Sequence, residues 1–240
     1  LEMIQNHLLI IDDVMDHSSV RRGQPAVHEL YKVAYPDRDD HESNMVGILV
    51  GMIAQHVANL LLMKAETKPP LMRDTLGIIQ RHTLITDLGQ IDDIQQAFGR
   101  SFSRDDLLRK YQQKSSYYSF VDPLLAGLTL AGQGGVQAEA DCEAVGLPAG
   151  VAFQLRDDYL GIFGVTDRTG KPNLDDITEG KHTLMVQCAI EQADADQRAT
   201  LRRIIGNPSA DEADLATVQR ILSETKAVGS ADNDMHHYAD

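Results

Sequence analysis

Apolar residues recur at helical intervals along most of the chain. At the start, spacings of four, three and four residues predict one amphipathic helix, formed around Ile4, Leu8, Ile11 and Met15. Comparable patterns predict further helices over approximately residues 44–66, 71–97, 103–123, 148–163, 183–204 and 211–227. Ser103 is the expected N-cap of the third of these. The sequence shows no sustained alternation of polar and apolar positions, so it predicts helices and not strands.

Polar segments separate these helices. They lie at 23–43, near residue 133, at 164–181 and in the C-terminal tail. The sequence shows no internal repeat and no linker, so we predict one all-α, single-domain helical bundle over residues 1–240. Leu1 already belongs to a helical pattern, and neither an N-cap nor an initiator Met precedes it. We therefore expect that natural N-terminal helices are missing from this sequence.

Composition narrows the possible partners. The 240 residues carry a formal net charge of −14, which argues against nucleic acid, because that partner requires a basic face. An anionic substrate must then be met by a bound metal ion or by a local group of basic residues. The chain is 42% hydrophobic and only 5% aromatic, which favours a globular helical protein over a β-sandwich.

The cysteines and the longest uncharged stretch bear on location. Cys142 and Cys188 lack metal-ligand spacing, so we interpret them as reduced core thiols of a cytoplasmic protein. No signal peptide is visible. Residues 45–63 carry no charge, but their polar members share one helical face. We interpret this stretch as a buried helix and not as a transmembrane segment.

Two groups of aspartates follow apolar runs. Asp12 and Asp16 stand one helical turn apart with Asp13 beside them, and Asp157 and Asp158 end a second apolar run. Like charges at this spacing repel each other, and oxygen ligands on one helix face suit Mg²⁺ together with phosphate oxygens. A solvated acidic helix end is the alternative for either group alone. Two groups that face each other across a bundle could hold a diphosphate through several metal ions.

Basic residues occur where anion contacts would be needed. Arginine offers a rigid fork for phosphate oxygens, and lysine offers a mobile charge. These residues are Arg21, Arg22, Lys114, Lys171 and Lys181. Each lysine alone is more often a surface residue, but Lys171 and Lys181 follow glycines in loops that could close over a substrate.

Five segments resemble the trans-isoprenyl diphosphate synthase family in sequence and in order. They are "DDVMD…RRGQP", "GQIDD", "KSSYYSFVDPLLAG", "FQLRDD" and "GKPNLDDITEGKHTLM". The resemblance covers about residues 1–190 and is closest to short-chain, geranylgeranyl diphosphate synthase-like members. It implies an isoprenoid synthase bundle with the active site in its core between the two acidic motifs. It also implies a homodimer, several Mg²⁺ ions, an allylic diphosphate and isopentenyl diphosphate.

The resemblance also implies roles for individual residues. The acidic motifs, Asp12, Asp13, Asp16, Asp157 and Asp158, correspond to metal ligands, the first and last of the first motif above all. Arg21 corresponds to the arginine for the allylic diphosphate and Arg22 to that for isopentenyl diphosphate. Further substrate-binding positions are Gln90, Asp93, Lys114, Ser115, Gln154, Lys171 and Lys181. Phe153 precedes Gln154 as in the family motif.

Three departures from the family pattern stand out. Gly161 replaces a third aspartate of the second acidic motif, as in some family members. The Gly-Asp that often follows the first loop reads Gly51-Met52 here. An upstream Gly-Gly-Lys-Arg segment, which supplies much of the isopentenyl diphosphate site in the family, is not in the sequence. Its true loss would leave the second substrate poorly held.

The implied reaction starts with loss of the allylic diphosphate. Mg²⁺ and the catalytic group Lys114, Lys181, Asp12 and Asp16 balance the charge that develops on that leaving group. The double bond of isopentenyl diphosphate attacks the allylic carbocation, and the departed diphosphate accepts the proton. The family mechanism therefore implies that no protein base is required. This fits the sequence, in which none of the nine histidines stands in a triad or in metal-ligand spacing.

Product length depends on the tunnel beside the first acidic helix. Leu8 and His7, four and five residues before Asp12, are the chain-length positions by resemblance. Farnesyl-length enzymes commonly place an aromatic ring there, and neither residue is Phe or Tyr. We therefore expect a C20, geranylgeranyl product, with farnesyl diphosphate synthase as the alternative.

Three other functions remain open at this point. A non-catalytic partner subunit of a heteromeric prenyl synthase is compatible with Gly161 and with the absent upstream segment. A class I terpene cyclase would share the fold and the first acidic motif, although it would more often have an aromatic-rich cavity. A purely structural helical bundle would leave both acidic groups unexplained.

Overall fold

The computed structural model describes residues 1–97, 102–164 and 173–239. The expected all-α fold is confirmed, since regular structure in these ranges is helical apart from one short hairpin. The elements up to residue 97 are α1 (Glu2–Met15), β1 (Val20–Arg21), β2 (Gln24–Pro25), α2 (Val27–Ala34), α3 (Asp40–Met63) and α4 (Pro69–Ala97). Next come α5 (Arg104–Tyr111), a π-helix named π1 (Gln112–Val121), α6 (Asp122–Leu130) and α7 (Val136–Phe163). The last are α8 (Asp175–Thr178), α9 (Leu184–Gln192), α10 (Ala195–Ile204), α11 (Glu212–Glu224) and α12 (Ala227–Ala239).

The π1 helix lies at the centre of the bundle. It packs against α4 on one side and α7 on the other, while α1 packs against α3. The C-terminal helices α9 to α12 pack on the end of α7 through one continuous apolar core. Cys142 and Cys188 are buried and unbridged, as the sequence predicts.

Polar N-caps explain where several helices begin. Ser103 Oγ accepts the N–H of Asp106 at 3.2 Å, and the Asp106 carboxylate accepts the N–H of Ser103 at 3.0 Å. This capping box confirms the predicted start of α5. Side chains also cap α3, α9, α10 and α11, namely Asp39, Thr183, Asp194 and Asp211.

Two prolines do not mark helix ends as the sequence suggested. The predicted helix was expected to end at Pro123, but π1 continues directly into α6. Pro123 lies in the first turn of α6, where its missing N–H is tolerated. Pro148 lies inside α7, which begins at Val136 and so well before the predicted start.

Three segments differ from what the sequence predicts. The expected connection at 23–43 contains β2 and α2. The expected helix at 183–204 is two helices, because Asp194 caps the second of them with a capping box. The tail was predicted only as a polar segment, and it forms α12. Ala227 and Ala231 supply its buried positions, and such small side chains give a weak hydropathy signal.

The prediction that residues 45–63 form a buried helix is also wrong. In the part of the chain that the structure describes, α3 alone is long and apolar enough to cross a membrane, by length and composition only. Only 17% of its apolar window is buried. The exposed apolar residues of α3 include Met45, Leu49, Met52, Ile53 and Leu60, and those of α4 are Leu84, Leu88 and Ile91. We call these the α3 stripe and the α4 stripe.

Candidate active site

The helices around π1 enclose a central cavity of about 700 Å³. Its walls come from α1, the β1–β2 hairpin, α4, α5, π1, α7 and residues 176–183. The predicted site residues that line it are Asp12, Arg21, Arg22, Asp93, Lys114, Ser115, Gln154, Asp157, Asp158 and Lys181. The fold thus brings residues from both halves of the chain to one cavity.

The carboxylates of Asp12 and Asp16 meet lysines from other elements. Lys114 Nζ lies 3.2 Å from Asp12 Oδ1, and Lys181 Nζ lies 3.4 Å from Asp16 Oδ2. Burial, followed by the charge of Asp12, raises the pKa of Asp16 to about 6. Asp16 also stands at the C-cap of α1, where the helix dipole disfavours a negative charge. This end of α1 therefore favours a bound cation.

Asp13 pairs with Arg21 and is not among the residues that line the cavity in the described chain. Arg21 Nε donates to Asp13 Oδ1 at 2.8 Å, and its Nη2 donates to Asp12 Oδ2 at 3.4 Å. The predicted metal role of Asp13 therefore has no support from this geometry. Arg22 and Gly23 form the two-residue hairpin turn with φ angles of 54° and 73°. Glycine adopts this conformation readily, and the turn leaves Arg22 exposed at the cavity.

Asp93 holds two lysines at the cavity wall. Its Oδ2 accepts from Lys114 Nζ at 2.5 Å, and its Oδ1 accepts from Lys110 Nζ at 2.8 Å. Burial raises the pKa of Asp93, but the charges of Lys114 and Lys110 outweigh burial and hold that pKa well below its usual range. Burial lowers the pKa of Lys114, and the carboxylates of Asp12 and Asp93 reverse this shift. Lys114 therefore stays charged between two carboxylates.

Neutral hydrogen-bond donors hold Asp158 on α7. The Tyr111 hydroxyl donates to Asp158 Oδ2, and Gln154 Nε2 donates to Asp158 Oδ1 at 2.9 Å. The Tyr111 oxygen accepts the N–H of Leu184 at 3.0 Å, and Ser115 Oγ donates to Gln154 Oε1 at 2.6 Å. Burial raises the pKa of Asp158 to about 7, although both donors lower it. Tyr111 could not be predicted from local spacing, because its partners lie 47 and 73 residues away in the sequence.

Lys181 lies among carboxylates from two segments. Besides Asp16, its Nζ is 3.2 Å from Asp176 Oδ1 and 2.9 Å from Glu179 Oε2. Asp176 also fills the space that Gly161 leaves open, since a Cβ at residue 161 would lie 1.7 Å from Asp176 Oδ2. The carboxylate of Asp176 therefore lies near the position that an aspartate side chain at residue 161 would take. Asp176 could not be predicted from the sequence, because no local spacing connects it with Gly161.

Two predicted binding residues are not placed at the cavity. Gln90 is half-buried on α4, where its Nε2 contacts Met15 Sδ at 3.7 Å. It is not among the lining residues of the described chain. Lys171 lies outside the described residues, so its predicted contact with the leaving diphosphate stays a prediction.

The two chain-length positions differ in their surroundings. His7 is buried, and its Nδ1 lies 3.0 Å from the carbonyl oxygen of Gly51 on α3. The predicted tunnel role of His7 therefore has no support from the geometry. Leu8 is half-buried and is not among the residues that line the cavity in the described chain, although Gln5 and Leu9 of the same helix are.

The donor set of the cavity fits Mg²⁺. Asp12 Oδ1 is buried and accepts no hydrogen bond within the described chain, although Lys114 lies beside it. Asp157 and Asp158 line the same cavity from α7. Mg²⁺ prefers oxygen ligands and takes one or two carboxylates together with waters and phosphate oxygens. Asp12 on α1 and Asp157 on α7 would hold such ions from the cavity wall. Asp16 is not among the lining residues of the described chain, but it lies one turn from Asp12 beside Lys181 and would join them.

Fold and cavity together define a class of protein. It is an all-α bundle that gathers acidic residues from α1, α4, α7 and α8, and basic residues from several elements, around one cavity. The family model for polyprenyl synthetase matches residues 1–222. The chain belongs to this family, and the predicted isoprenoid synthase type of bundle is confirmed.

Relatives of known name agree with this assignment. Farnesyl diphosphate synthase of Dictyostelium discoideum is 30% identical over 230 residues, which are 93% of this chain and 58% of that protein. Farnesyl pyrophosphate synthase 1, mitochondrial, of Arabidopsis thaliana is 29% identical over 234 residues, which are 95% of this chain and 57% of that protein. The chain thus spans less than two thirds of the length of these relatives.

Solved structures show the same fold. Geranylgeranyl pyrophosphate synthase from Corynebacterium glutamicum, complexed with isoprenyl diphosphate and magnesium, superposes with a TM-score of 0.92. It is 28% identical, and the match covers 99% of this chain and 68% of that one. Polyprenyl synthase from Caulobacter crescentus, complexed with calcium and isoprenyl diphosphate, has a TM-score of 0.85 and 27% identity, over 100% of this chain and 67% of that one.

Proposed function

We propose that this protein is a Mg²⁺-dependent trans-prenyltransferase that joins an allylic diphosphate to isopentenyl diphosphate. One observation carries the proposal: carboxylates of α1 and α7 line one cavity together with Lys114 and Lys181. In a purely structural bundle, the desolvation free energy of these buried charges would serve no function. The relatives and solved structures described above are named as synthases of prenyl diphosphates, which supports the same class of reaction.

The residues of the chain would bind and orient the leaving diphosphate. Lys114 and Lys181 are held charged by carboxylates, and each can turn a proton donor towards phosphate oxygens. Arg21 is already fixed by Asp13, so its fork stands at one orientation beside the cavity. Bound Mg²⁺ would supply Lewis-acid stabilisation of the departing diphosphate. The departed diphosphate would accept the final proton, so the reaction needs no protein base.

The proposal is tested by incubating the full-length protein with isopentenyl diphosphate, one allylic diphosphate and Mg²⁺. Extension of the allylic chain by five carbons supports a synthase. Cyclisation with diphosphate release would indicate a terpene cyclase. No turnover would favour a non-catalytic partner subunit and would contradict the proposal. Chelation of Mg²⁺ should abolish extension in the same assay.

We further propose a C20, geranylgeranyl product. Leu8 carries no ring, and an apolar cavity of about 340 Å³ lies near the start of α1, lined in part by Leu1, Ile4, Ile79 and Leu130. Such a cavity could take the end of a chain that grows away from the aspartates. The relatives named farnesyl diphosphate synthase make the C15 product the competing outcome.

Product length is measured by dephosphorylating the products and sizing them chromatographically. Geranylgeraniol should be the main alcohol, and Leu8→Phe should shorten the product towards farnesol because the ring would narrow the tunnel. Leu30→Phe is the matched control, since Leu30 is 51% exposed on α2 and should leave product length unchanged. Farnesol as the main alcohol of the unmutated enzyme would contradict the C20 proposal.

We also propose that the protein forms a homodimer through the α3 and α4 stripes. Leu84, Leu88 and Ile91 are 65%, 56% and 49% exposed, which is costly for large apolar residues that stay in water. Light scattering should give twice the mass of one chain. Leu84→Lys with Leu88→Lys should yield monomers, whereas Val136→Lys, at an 88% exposed position on α7, should not. A monomeric unmutated protein would overturn this proposal.

A further inference from the structure

A second group of ionisable residues lies away from the catalytic cavity. His82 on α4 approaches Glu139 and Glu143 on α7, and Asp122 at the start of α6 stands behind the histidine. On α7, Glu143 precedes Asp157 by fourteen residues, or about 21 Å at the rise of an α-helix. None of the four residues lines the central cavity. We call them the His82 cluster.

The imidazole of His82 is fixed by a buried carboxylate. The ring is 1% exposed, and its Nδ1 forms a hydrogen bond with Asp122 Oδ1. Nε2 therefore faces Glu139, whose Oε1 lies 3.5 Å away, and it makes no hydrogen bond within the described chain. In many metal sites a carboxylate orients a ligating histidine in this way, and it fixes which ring nitrogen can bind the metal. The Asp122 carboxylate is fully buried, and its Oδ2 has no partner in the described chain.

The cluster carries an excess of negative charge. Asp122, Glu139 and Glu143 contribute three carboxylates, and Glu139 and Glu143 stand one turn apart, where like charges repel. Arg81 Nη2 contacts Glu139 Oε1 at 2.5 Å, and the Tyr117 hydroxyl donates to Glu143 Oε1 at 3.1 Å. In the described part of the chain, the three carboxyl groups face a single guanidinium, that of Arg81, so a further cation would balance their charge.

We propose that His82, Glu139 and Glu143 bind one divalent transition-metal ion, of which Zn²⁺ fits best. Each residue offers one ligand atom, and these atoms lie within 4.8 Å of one another. Imidazole nitrogen suits Zn²⁺, whereas Mg²⁺ prefers an all-oxygen set, so the cluster should discriminate against the ion of the catalytic cavity. Three protein ligands leave a fourth position for water. Asp122 is a positioning residue, and the ion would connect α4 to α7.

The experiment uses Co²⁺ as a spectroscopic probe and Zn²⁺ in calorimetric titrations, both in excess Mg²⁺ to occupy the catalytic aspartates. The unmutated protein should bind one equivalent of Co²⁺ with the visible absorption of a low-coordinate nitrogen–oxygen site, and Zn²⁺ should displace it. Glu143→Gln should lose this equivalent. Asp141→Asn is the matched control, because Asp141 is an exposed carboxylate on the same helix, bonded to Gln137.

A second pair of variants separates metal binding from an ion pair between an imidazolium and the glutamates. Asp122→Asn removes the orienting charge and should weaken Zn²⁺ binding by about 10- to 100-fold, as loss of such a partner commonly does. His82→Gln should abolish binding. Circular dichroism of each variant checks that the fold survives, and Glu143→Gln, at a partly exposed position, remains informative if the buried changes unfold the protein. Equal Zn²⁺ binding by the unmutated protein and Glu143→Gln, or no Zn²⁺ binding by either, would overturn the proposal.

Discussion

The two acidic motifs of the cavity are stabilised in different ways. On α1, the carboxylates are met by cations, with Lys114 beside Asp12 and Lys181 beside Asp16. On α7, Asp158 is held by the hydroxyl of Tyr111 and the amide of Gln154, which carry no charge. Two acidic pairs that look alike in the sequence therefore differ in environment, and the first depends much more on charge balance.

The two motifs also differ in that Gly161 stands where the second motif would have a third aspartate. Asp176 fills the space beside Gly161 and binds Lys181, which also contacts Asp16 of the first motif. One lysine thus connects the carboxylate that compensates for Gly161 with the first motif. Three predictions, from the largest expected effect to the smallest, test whether the two motifs differ as this geometry indicates.

Removing a charge from the first motif should have the largest effect. Asp16→Asn keeps the shape of the side chain, and we expect kcat/KM to fall on the order of 10³-fold, the scale of losing one group that stabilises transition-state charge. Stability without metal should hold or rise, because a repelling carboxylate at the C-cap of α1 is gone. Steady-state kinetics and thermal unfolding measure both effects.

Asp141→Asn is the control for this change, because it removes an exposed carboxylate from α7. It should leave kcat/KM unchanged. A metal-free Asp16→Asn protein that unfolds well below the unmutated one would contradict the account of the first motif, and so would near-normal activity.

The corresponding change in the second motif should cost less. In Asp158→Asn the amide can still accept from Tyr111, so the geometry around α9 should survive. We expect a 10- to 100-fold loss of kcat/KM, the range for a group that orients a metal site, and a raised Mg²⁺ requirement. The measurement is kcat/KM as a function of Mg²⁺ concentration. If Asp158→Asn were as damaging as Asp16→Asn, the contrast between the motifs would be wrong.

The smallest effect is expected where Gly161 meets Asp176. In an open helix position, Gly→Ala stabilises by about 1 kcal/mol, and Gly77→Ala on α4 should show this gain because a Cβ there meets nothing within 4 Å. Gly161→Ala should not, because its methyl group would push Asp176 away from Lys181. We expect about a tenfold loss of activity, which corresponds to a rise of about 1.4 kcal/mol in the activation free energy.

A pair of measurements decides this last prediction, namely thermal unfolding of both alanine variants and kcat/KM of Gly161→Ala. Equal stabilisation by the two substitutions, together with unchanged activity, would show that Asp176 does not need the space at residue 161.

Much of the helical fold could be predicted from the sequence because amphipathic helices are encoded locally. The stripe of α1 and the cap at Ser103 are patterns of a few residues, and both match the structure. Prediction was wrong where the local signal was weak or misleading. The alanines of α12 bury little apolar surface, and Pro123 is tolerated in the first turn of α6, although proline usually marks a helix end.

The candidate site shows the same division. Asp12, Asp157 and Lys181 could be named in advance, because charged residues at apolar helix ends and in glycine-containing loops are visible in the sequence. Arg21 and Lys114 were named through the resemblance to the family. The sequence did not indicate that Asp13 would turn to Arg21, or His7 to α3. Asp13 is adjacent to Asp12 and His7 to Leu8, and adjacent residues of a helix lie on different faces. The packing of α1 against other elements decides which of these faces points into the cavity.

By itself, the sequence determined most of the helices, the acidic and basic residues and the order of the motifs, since each depends on neighbours within a few positions. Tertiary structure alone decided that Tyr111 holds Asp158, that Asp176 replaces the carboxylate missing at Gly161, and that His82 meets two glutamates. These contacts join residues from different helices. Their distances follow from how the helices pack, which no local spacing encodes.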